Sequence, residues 1–434
     1  MDVAVLSTLL LFGTFFLLLI IGVPISISIG LSSIVSVTVV MPIDVLLFTG
    51  AQRLFSGMNS FALLAVVFFI MSGSIMNNGG IALRLINLAK LIAGRLPGSL
   101  AHTNVVGNML FGSISGSAVA SAAAIGSVMS PLQEKEGYNK AFSAAVNIAS
   151  SPVGILIPPS GVLILYSLVS GGTSVSALFM AGYLPGILMG FAVMIVAYII
   201  AKRNNYTIAE KVSLKEAVRV ILQAIPSLML IVVVIGGIVA GIFTATEGAA
   251  IAILYSLVLS LIYRSLTWAH IPKIFKETIV MTGIVLFLVA TSSIMSWAMA
   301  VTGMPAAISN GLLSISENPN IILLIMMLIL LIIGTFMDLT PAVLIFTPIF
   351  LPIAGQMGID PVHFGIMLVF NLAIGSMTPP VGSVLFVGCS VGKVSIEEVI
   401  KPLSFFFVAL IAALFLVVYI PSISLIIPEL LDLL

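Results

Sequence analysis

Charge is scarce in this chain. Lys, Arg, Asp and Glu make up 7% of the 434 residues, and the formal net charge is +1. A soluble domain keeps a charged surface; a chain that is 61% hydrophobic, with mean hydropathy +1.32, turns apolar surface to lipid. No block of basic residues is present, which excludes a nucleic-acid partner. There is one cysteine, Cys389. That excludes an intramolecular disulfide and a cysteine metal cage, and leaves a small packed apolar residue. His102, His270 and His363 lie far apart and mostly in expected loops, so neither a histidine metal site nor a bound cofactor is expected. There is no HExxH motif, no pair of intramembrane aspartates and no intramembrane histidine to activate a serine, which argues against an intramembrane protease. The N-terminus has Asp2 but no basic stretch and no small-residue cleavage pattern, so the first apolar run is expected to stay as a span. The two tryptophans, Trp268 and Trp297, suit interfacial anchors or packed residues rather than a substrate site.

What the chain has instead is proline and glycine where a plain spanning helix would exclude them. Ala145–Ser170, AVNIASSPVGILIPPSGVLILYSLVS, is apolar enough to cross a bilayer. It nevertheless carries Ser150-Ser151-Pro152, Gly154, Pro158-Pro159 and Ser160-Gly161. Each proline removes a backbone N–H and clashes with the carbonyl four residues earlier. Lipid supplies no substitute, so the broken turn must lie within protein or line a polar cavity. Val369–Val391, VFNLAIGSMTPPVGSVLFVGCSV, repeats the device at Pro379-Pro380 and Gly382-Ser383, 221 positions on from 158 to 379. Matched Gly/Pro-interrupted apolar segments in two halves point to the binding site of a secondary transporter.

The remaining segments fit an all-α polytopic membrane protein. Val3–Ile21, Pro24–Val40 and Ser60–Met76 are spans, with Ile43–Met58 an interfacial connector. Ile81–Ile92 is amphipathic and suits the membrane surface. Residues 105–131, rich in Gly, Ser and Ala, turn at Ser115-Gly116-Ser117 and form either a span or a re-entrant hairpin. A broken helix (about 140–170) and a span at Ala177–Ile200 complete a first repeat, 1–205. A cytoplasmic linker helix at 206–224 follows, where Ser213 and Glu216 fit a capping box. The second repeat, 225–434, holds spans at Pro226–Phe243, Ala249–Tyr263 and Thr278–Ala300, connectors at Arg264–Glu277 and Met304–Glu317, a hairpin at about 320–352, a broken helix at about 362–391 and a last span at Leu403–Ile420. Five crossings per half make the repeat inverted. With the N-terminus outside, fifteen of the sixteen Lys and Arg fall in inward loops, and Arg53 alone falls outside. The first hairpin then opens to the cytoplasm and the second to the outside.

Asp338 is the one acid deep in an expected membrane segment; Glu247 lies near a span end. A charged Asp at mid-membrane costs about 2.5–3.5 kcal/mol on insertion scales. It therefore either caps the helix that starts after Pro341, or contacts a cation or substrate, or does both. Counted back by the repeat spacing, Asp338 falls on Ser115-Gly116-Ser117, which suit either a site or close helix packing. Carbonyls of Gly154, Ile157 and Pro159 lie near the first break, and those of Gly375, Thr378 and Pro380 near the second. Freed carbonyls and hydroxyls suit a hard monovalent cation, and half-helix N-termini suit a carboxylate. Asn147 and Asn371 share the pattern V/F-N-x-A before the breaks and suit either bonding of freed backbone groups or ligand contact.

GSISGSAVASAAAIGSVMSP, SSPVGILIPPSGVLILYS, FMDLTPAVLIFTPIFLP and MTPPVGSVLFVG resemble the large membrane subunit of tripartite ATP-independent periplasmic (TRAP) transporters, over essentially the whole chain. The resemblance is strongest to a sialic-acid system. It implies a fold like that of the elevator-type ion transporter superfamily, with two hairpins on a moving unit. It implies a sodium-coupled importer of an organic acid anion in the bacterial inner membrane, with sodium as coupling ion and no other metal. A periplasmic substrate-binding protein and a small four-helix membrane subunit, expected as a separate chain, are the implied partners. Carried over residue by residue, a first sodium site falls on Ser115, Gly154, Ile157 and Pro159. A second falls on Thr335, Asp338, Gly375, Thr378 and Pro380. Substrate contact falls on Ser117, Ser160 and Asp338. The competing readings are a C4-dicarboxylate TRAP permease and a stand-alone sodium/dicarboxylate carrier.

Overall fold

A computed structural model describes residues 3–206, 213–316 and 318–434. Asp2, positions 207–212 of the expected linker, and Glu317 at the end of the second connector lie outside the described residues. Every regular element among the described residues is a helix. Eight helices are long and apolar enough to cross a membrane, or up to ten if each of two bent pairs counts as one span.

Breakers and caps set the boundaries. Gly22 and Pro24 part α1 (Val3–Ile20) from α2 (Ile25–Val37). α3 (Ile43–Met58) meets α4 (Ala62–Asn78) at a 57° bend, and α5 (Ile81–Ala93) is the amphipathic connector. The first hairpin is α6 (Ser99–Ser115) and α7 (Ala118–Lys135). The first broken helix is α8 (Lys140–Ser150), α9 (Val153–Leu156) and α10 (Gly161–Val169), bent by 50°. α11 (Val175–Arg203) closes this half. The second half runs α12 (Leu214–Val239), α13 (Ala245–Ile262), α14 (His270–Thr302) and α15 (Met304–Leu313). Its hairpin is α16 (Pro319–Phe336) and α17 (Leu339–Gln356), and its broken helix is α18 (Pro361–Gly375) and α19 (Ser383–Gly392). α20 (Ile396–Tyr419) and α21 (Ser422–Leu430) end the chain. Glu247 is absorbed by a capping box: its carboxylate accepts the Thr244 N–H at 2.8 Å while Thr244 caps α13.

Two sets of helix contacts can be traced, joined where α5 packs on α6, α4 on α10 and α14 on α17. In one, α2 lies on α14 and α4 on α13, while α5 packs on α12 and α1 on α15. In the other, the hairpins and broken helices interlock: α7 packs on α19 and α10 on α17. Each hairpin thus touches the broken helix of the other half as well as its own.

The structure differs from the sequence expectations in several places. The linker helix and the next span are one helix, α12, with Pro226 inside it. Extending a formed helix costs less than stopping it and nucleating another, and no Gly stands there to end it. The connector at Arg264–Glu277 likewise runs into α14, supported by a Lys273–Glu277 pair one turn apart at 3.8 Å. α21 was not expected. Finally, His102 and His363 lie not in loops but buried in the first turns of α6 and α18. His363 is satisfied by Ser424 Oγ at 2.6 Å and the Val418 carbonyl at 3.4 Å, which is how a neutral imidazole survives burial. Both members of this Ser–His pair are buried, so it is a packing contact between α18 and α21. No group of three metal-ligating side chains occurs among the described residues.

Candidate functional site: two hairpin tips on two helix breaks

In the first half, α6 stops because Gly116 adopts φ +63°, which favours glycine. Ser117 then caps α7, its hydroxyl accepting the Ala120 N–H at 3.3 Å. The facing break is the unwound link from Ile157 to Ser160, and Ser160 caps α10 by accepting the Leu163 N–H at 3.4 Å. The peptide bonds Pro158-Pro159 and Pro379-Pro380 are both cis. Tip and break meet backbone to backbone. A Cβ added to Gly112 would stand 2.7 Å from the Gly154 Cα, and one on Gly116 would lie 3.7 Å from the Pro159 carbonyl oxygen. The Ser115 carbonyl faces Gly73 of α4, where an added Cβ would stand 3.2 Å away. Ser115, Gly154 and Pro159 are thus gathered around one crossing, with Ile157 in the link. Residues 151–160 are all buried, and Ser160 is fully so.

The second half repeats this crossing. A Cβ on Gly375 would stand 2.5 Å from the Gly334 Cα. The Thr335 carbonyl accepts the Val381 N–H at 3.1 Å, which joins the tip of α16 to the unwound link. The carbonyls of Gly375 and Thr378 accept from Thr378 N (2.9 Å) and Gly382 N (3.2 Å), leaving each a second lone pair. Thr335 and Thr378 turn their hydroxyl protons back onto Ile332 and Ile374 of their own helices, at 2.7 and 2.8 Å. Their oxygens keep lone pairs for another partner. Here the surface is open: Asp338 and Pro379-Pro380-Val381 are exposed.

Ser117 and Asp338 hold equivalent posts, the residue before the second hairpin helix. They behave differently. Ser117 caps its own helix, whereas Asp338 makes no side-chain cap bond and instead accepts the Ser383 hydroxyl at 3.0 Å across the break. The sequence placed Ser383 in the second break without giving it a part in the site. Its only signal was its place just after Gly382.

Sequence reasoning also missed a buried amide cluster. Asn108 of α6 donates to Asn104 Oδ1 (2.9 Å), Ser150 Oγ (2.7 Å) and Asn147 Oδ1 (3.2 Å), and accepts from Ser121 Oγ (2.8 Å). Asn147 donates to the Ala122 carbonyl at 2.9 Å. The cluster fastens both hairpin arms to α8. Asn371 donates to the Met327 carbonyl of α16 at 2.8 Å. Neither asparagine bonds a group freed by a proline, as their shared pattern suggested; both bond carbonyls of hairpin helices. The position 221 before Asn371 is Ser150, not Asn147, so the shared tetrapeptide does not mark equivalent places. Asn108→Leu fills similar volume but strands several buried partners, at about 1–3 kcal/mol for each unsatisfied group. A thermal melt in detergent should fall by several degrees, and a melting point unchanged within a degree would mean that the cluster does not hold the hairpin.

The interlocked architecture has a counterpart among solved structures. It matches the YdaH transporter of Alcanivorax borkumensis with TM-score 0.62 over 95% of this chain and 97% of that one, at 13% identity, a likeness of fold alone. Sequence narrows the class. Residues 12–423 match the family described as the tripartite ATP-independent periplasmic transporter, DctM component. The chain is 56% identical to the uncharacterized protein YgiK of Salmonella typhimurium, with 97% of each covered. It is 38% identical to the sialic acid TRAP transporter large permease protein SiaM of Vibrio cholerae (88% of this chain, 89% of that one). It is 37% identical to the C4-dicarboxylate TRAP transporter large permease protein DctM of Rhodobacter capsulatus (98% and 100%). The chain belongs to the TRAP transporter family as a large permease subunit. It is a multi-pass protein of the bacterial inner membrane and a transporter, not an enzyme. The family works with a small membrane subunit and a periplasmic binding protein.

Proposed function

We propose that this subunit carries an organic acid anion inward, coupled to sodium. One observation carries the reading: Asp338 leaves its own helix uncapped and turns to Ser383 at the second break, where backbone bonds tie in the carbonyls of Thr335, Gly375 and Thr378 and Pro380 lies in the exposed link. A hard cation with low charge takes such a set of carbonyls, hydroxyls and one carboxylate. Ser115, Gly154, Ile157 and Pro159 form the matching site in the first half. Ser117 and Ser160 present the N-termini of α7 and α10, whose partial positive charge suits the substrate carboxylate. The matched crossings, 221 positions apart at Gly154 and Gly375, and the exchanged packing of α7 on α19 and α10 on α17 support an inverted repeat. The interlocked body then moves against the other as an elevator, with the linker at 206–224 on the cytoplasmic side.

Sialic acid is the substrate suggested by the sequence resemblance. Identities of 38% to a sialic-acid permease and 37% to a C4-dicarboxylate permease do not rank one acid above the other. The test is uptake into proteoliposomes holding this chain, the small membrane subunit and the binding protein, with a panel of labelled acids. Uptake of one acid, dependent on inward sodium and lost without the binding protein, is expected. Uptake undiminished without that protein would instead establish a stand-alone carrier, and sodium-independent uptake would remove the ion sites.

A further inference from the structure

Away from the breaks, α8, α11 and α20 enclose a cavity of about 660 Å³ whose walls have an ordered polarity. At one end stand Arg203, the last residue of α11, and Lys401 in the second turn of α20. Both are exposed, and among the described residues neither has an ion pair. Glu398 also lines this end, but its carboxylate is engaged by the Ser395 N–H at 2.9 Å, in the capping box that starts α20. Below the cations the walls are apolar: Val196 and Ile199 on α11, Phe405 on α20.

The apolar character continues beyond the cavity in one direction only. One turn back along α11 from exposed Ile199 is exposed Ile195; one turn on along α20 from exposed Phe405 is exposed Val408. The C-terminus of α11 and the N-terminus of α20 share the charged end, so both stripes lead away from the cations side by side. Cation pair first, then parallel hydrocarbon walls, is the order of groups along a phospholipid. A free phosphate has no use for the stripes, and a neutral lipid has no use for two unpaired cations. Snorkelling of Arg and Lys explains their outward reach but not the cavity between them.

We infer that this cavity binds an anionic phospholipid, with its phosphate between Arg203 and Lys401 and its acyl chains along Ile199 and Phe405. By the basic-residue count, this end of the bundle faces the inner leaflet, where anionic headgroups attract such cations.

The purified full chain, stripped of lipid in detergent, is titrated with dioleoylphosphatidylglycerol or dioleoylphosphatidylcholine, and retained lipids are counted by native mass spectrometry. Sodium and substrate are absent, so the outcome is independent of the transport reading. Phosphatidylglycerol should be retained at least about tenfold more than phosphatidylcholine. Arg203→Gln with Lys401→Gln should bring it down to the phosphatidylcholine level. Lys90→Gln with Lys276→Gln, cations away from the cavity, should leave the preference intact, as should Arg203→Lys. If the double variant elutes as aggregate, Lys401→Gln alone should still cut the preference severalfold. Equal retention of the two lipids in the unaltered chain, an undiminished preference in the Arg203/Lys401 variants, or loss of phosphatidylglycerol to millimolar inorganic phosphate would each overturn the assignment.

Discussion

Asp338→Asn should leave the permease folded but blunt its response to sodium. The substitution keeps the shape and one acceptor while removing the charge. Asp338 is exposed and makes no cap bond, so little stability rests on it, within about 0.5 kcal/mol. On the proposed reading, the carboxylate offsets the dehydration of a cation held otherwise by neutral oxygens. A charge-assisted contact contributes about 1.5–3 kcal/mol, so sodium affinity should fall about tenfold to a hundredfold. Substrate uptake should fall with it if, as proposed, sodium and the anion are carried together. Ser383→Ala removes one hydrogen bond to the carboxylate and should have a smaller effect in the same direction. The measurement is uptake against sodium concentration in the reconstituted complex, with melting temperature as control. Wild-type sodium activation in a well-folded Asp338→Asn would reduce Asp338 to a helix-start residue and leave the second site to the backbone.

Gly375→Ala should abolish transport by a different route. Its Cβ would stand 2.5 Å from the Gly334 Cα, 2.6 Å from the carbonyl carbon and 2.9 Å from the oxygen. All three are backbone atoms, so no side chain can swing aside, and the hairpin itself must move. Overpacking of this kind costs about 1–3 kcal/mol or more, and it separates the Thr335 tip from the break that completes the site. Gly154→Ala should do the same to the first half. Gly283→Ala in α14 is the control: nothing lies within 4 Å, and the helix gains up to about 1 kcal/mol of propensity. Thermal melts in detergent should fall for the two crossing variants and hold or rise for the control. Uptake at the wild-type rate by Gly375→Ala would show that the crossing is incidental.

The breaks were legible in the sequence because proline announces a missing donor locally, and nothing in lipid hides it. The tips were legible because Ser115-Gly116-Ser117 and the lone acid Asp338 are anomalous for their depth. The amide cluster was not. Asn108 bonds Asn147 and Ser150, 39 and 42 residues away, and no local pattern carries that pairing. The likeness of VNIA and FNLA invited a false match, because local composition repeats more loosely than backbone crossings do. The merger of the linker into α12 was missed because a change from polar to apolar residues marks the membrane boundary, and a helix need not stop there. The Ser160 hydroxyl, read from sequence as a substrate contact, caps α10 in full burial.

The polar groups around the two breaks differ in formal charge. From Gly112 to Ser121 and from Asn147 to Gly161, every polar side chain is a hydroxyl or an amide. Across Gly334–Thr340 and Asn371–Ser383 there is one carboxyl group, Asp338. Two backbones built alike therefore present different surroundings: neutral oxygens alone at the first break, neutral oxygens and one acid at the second.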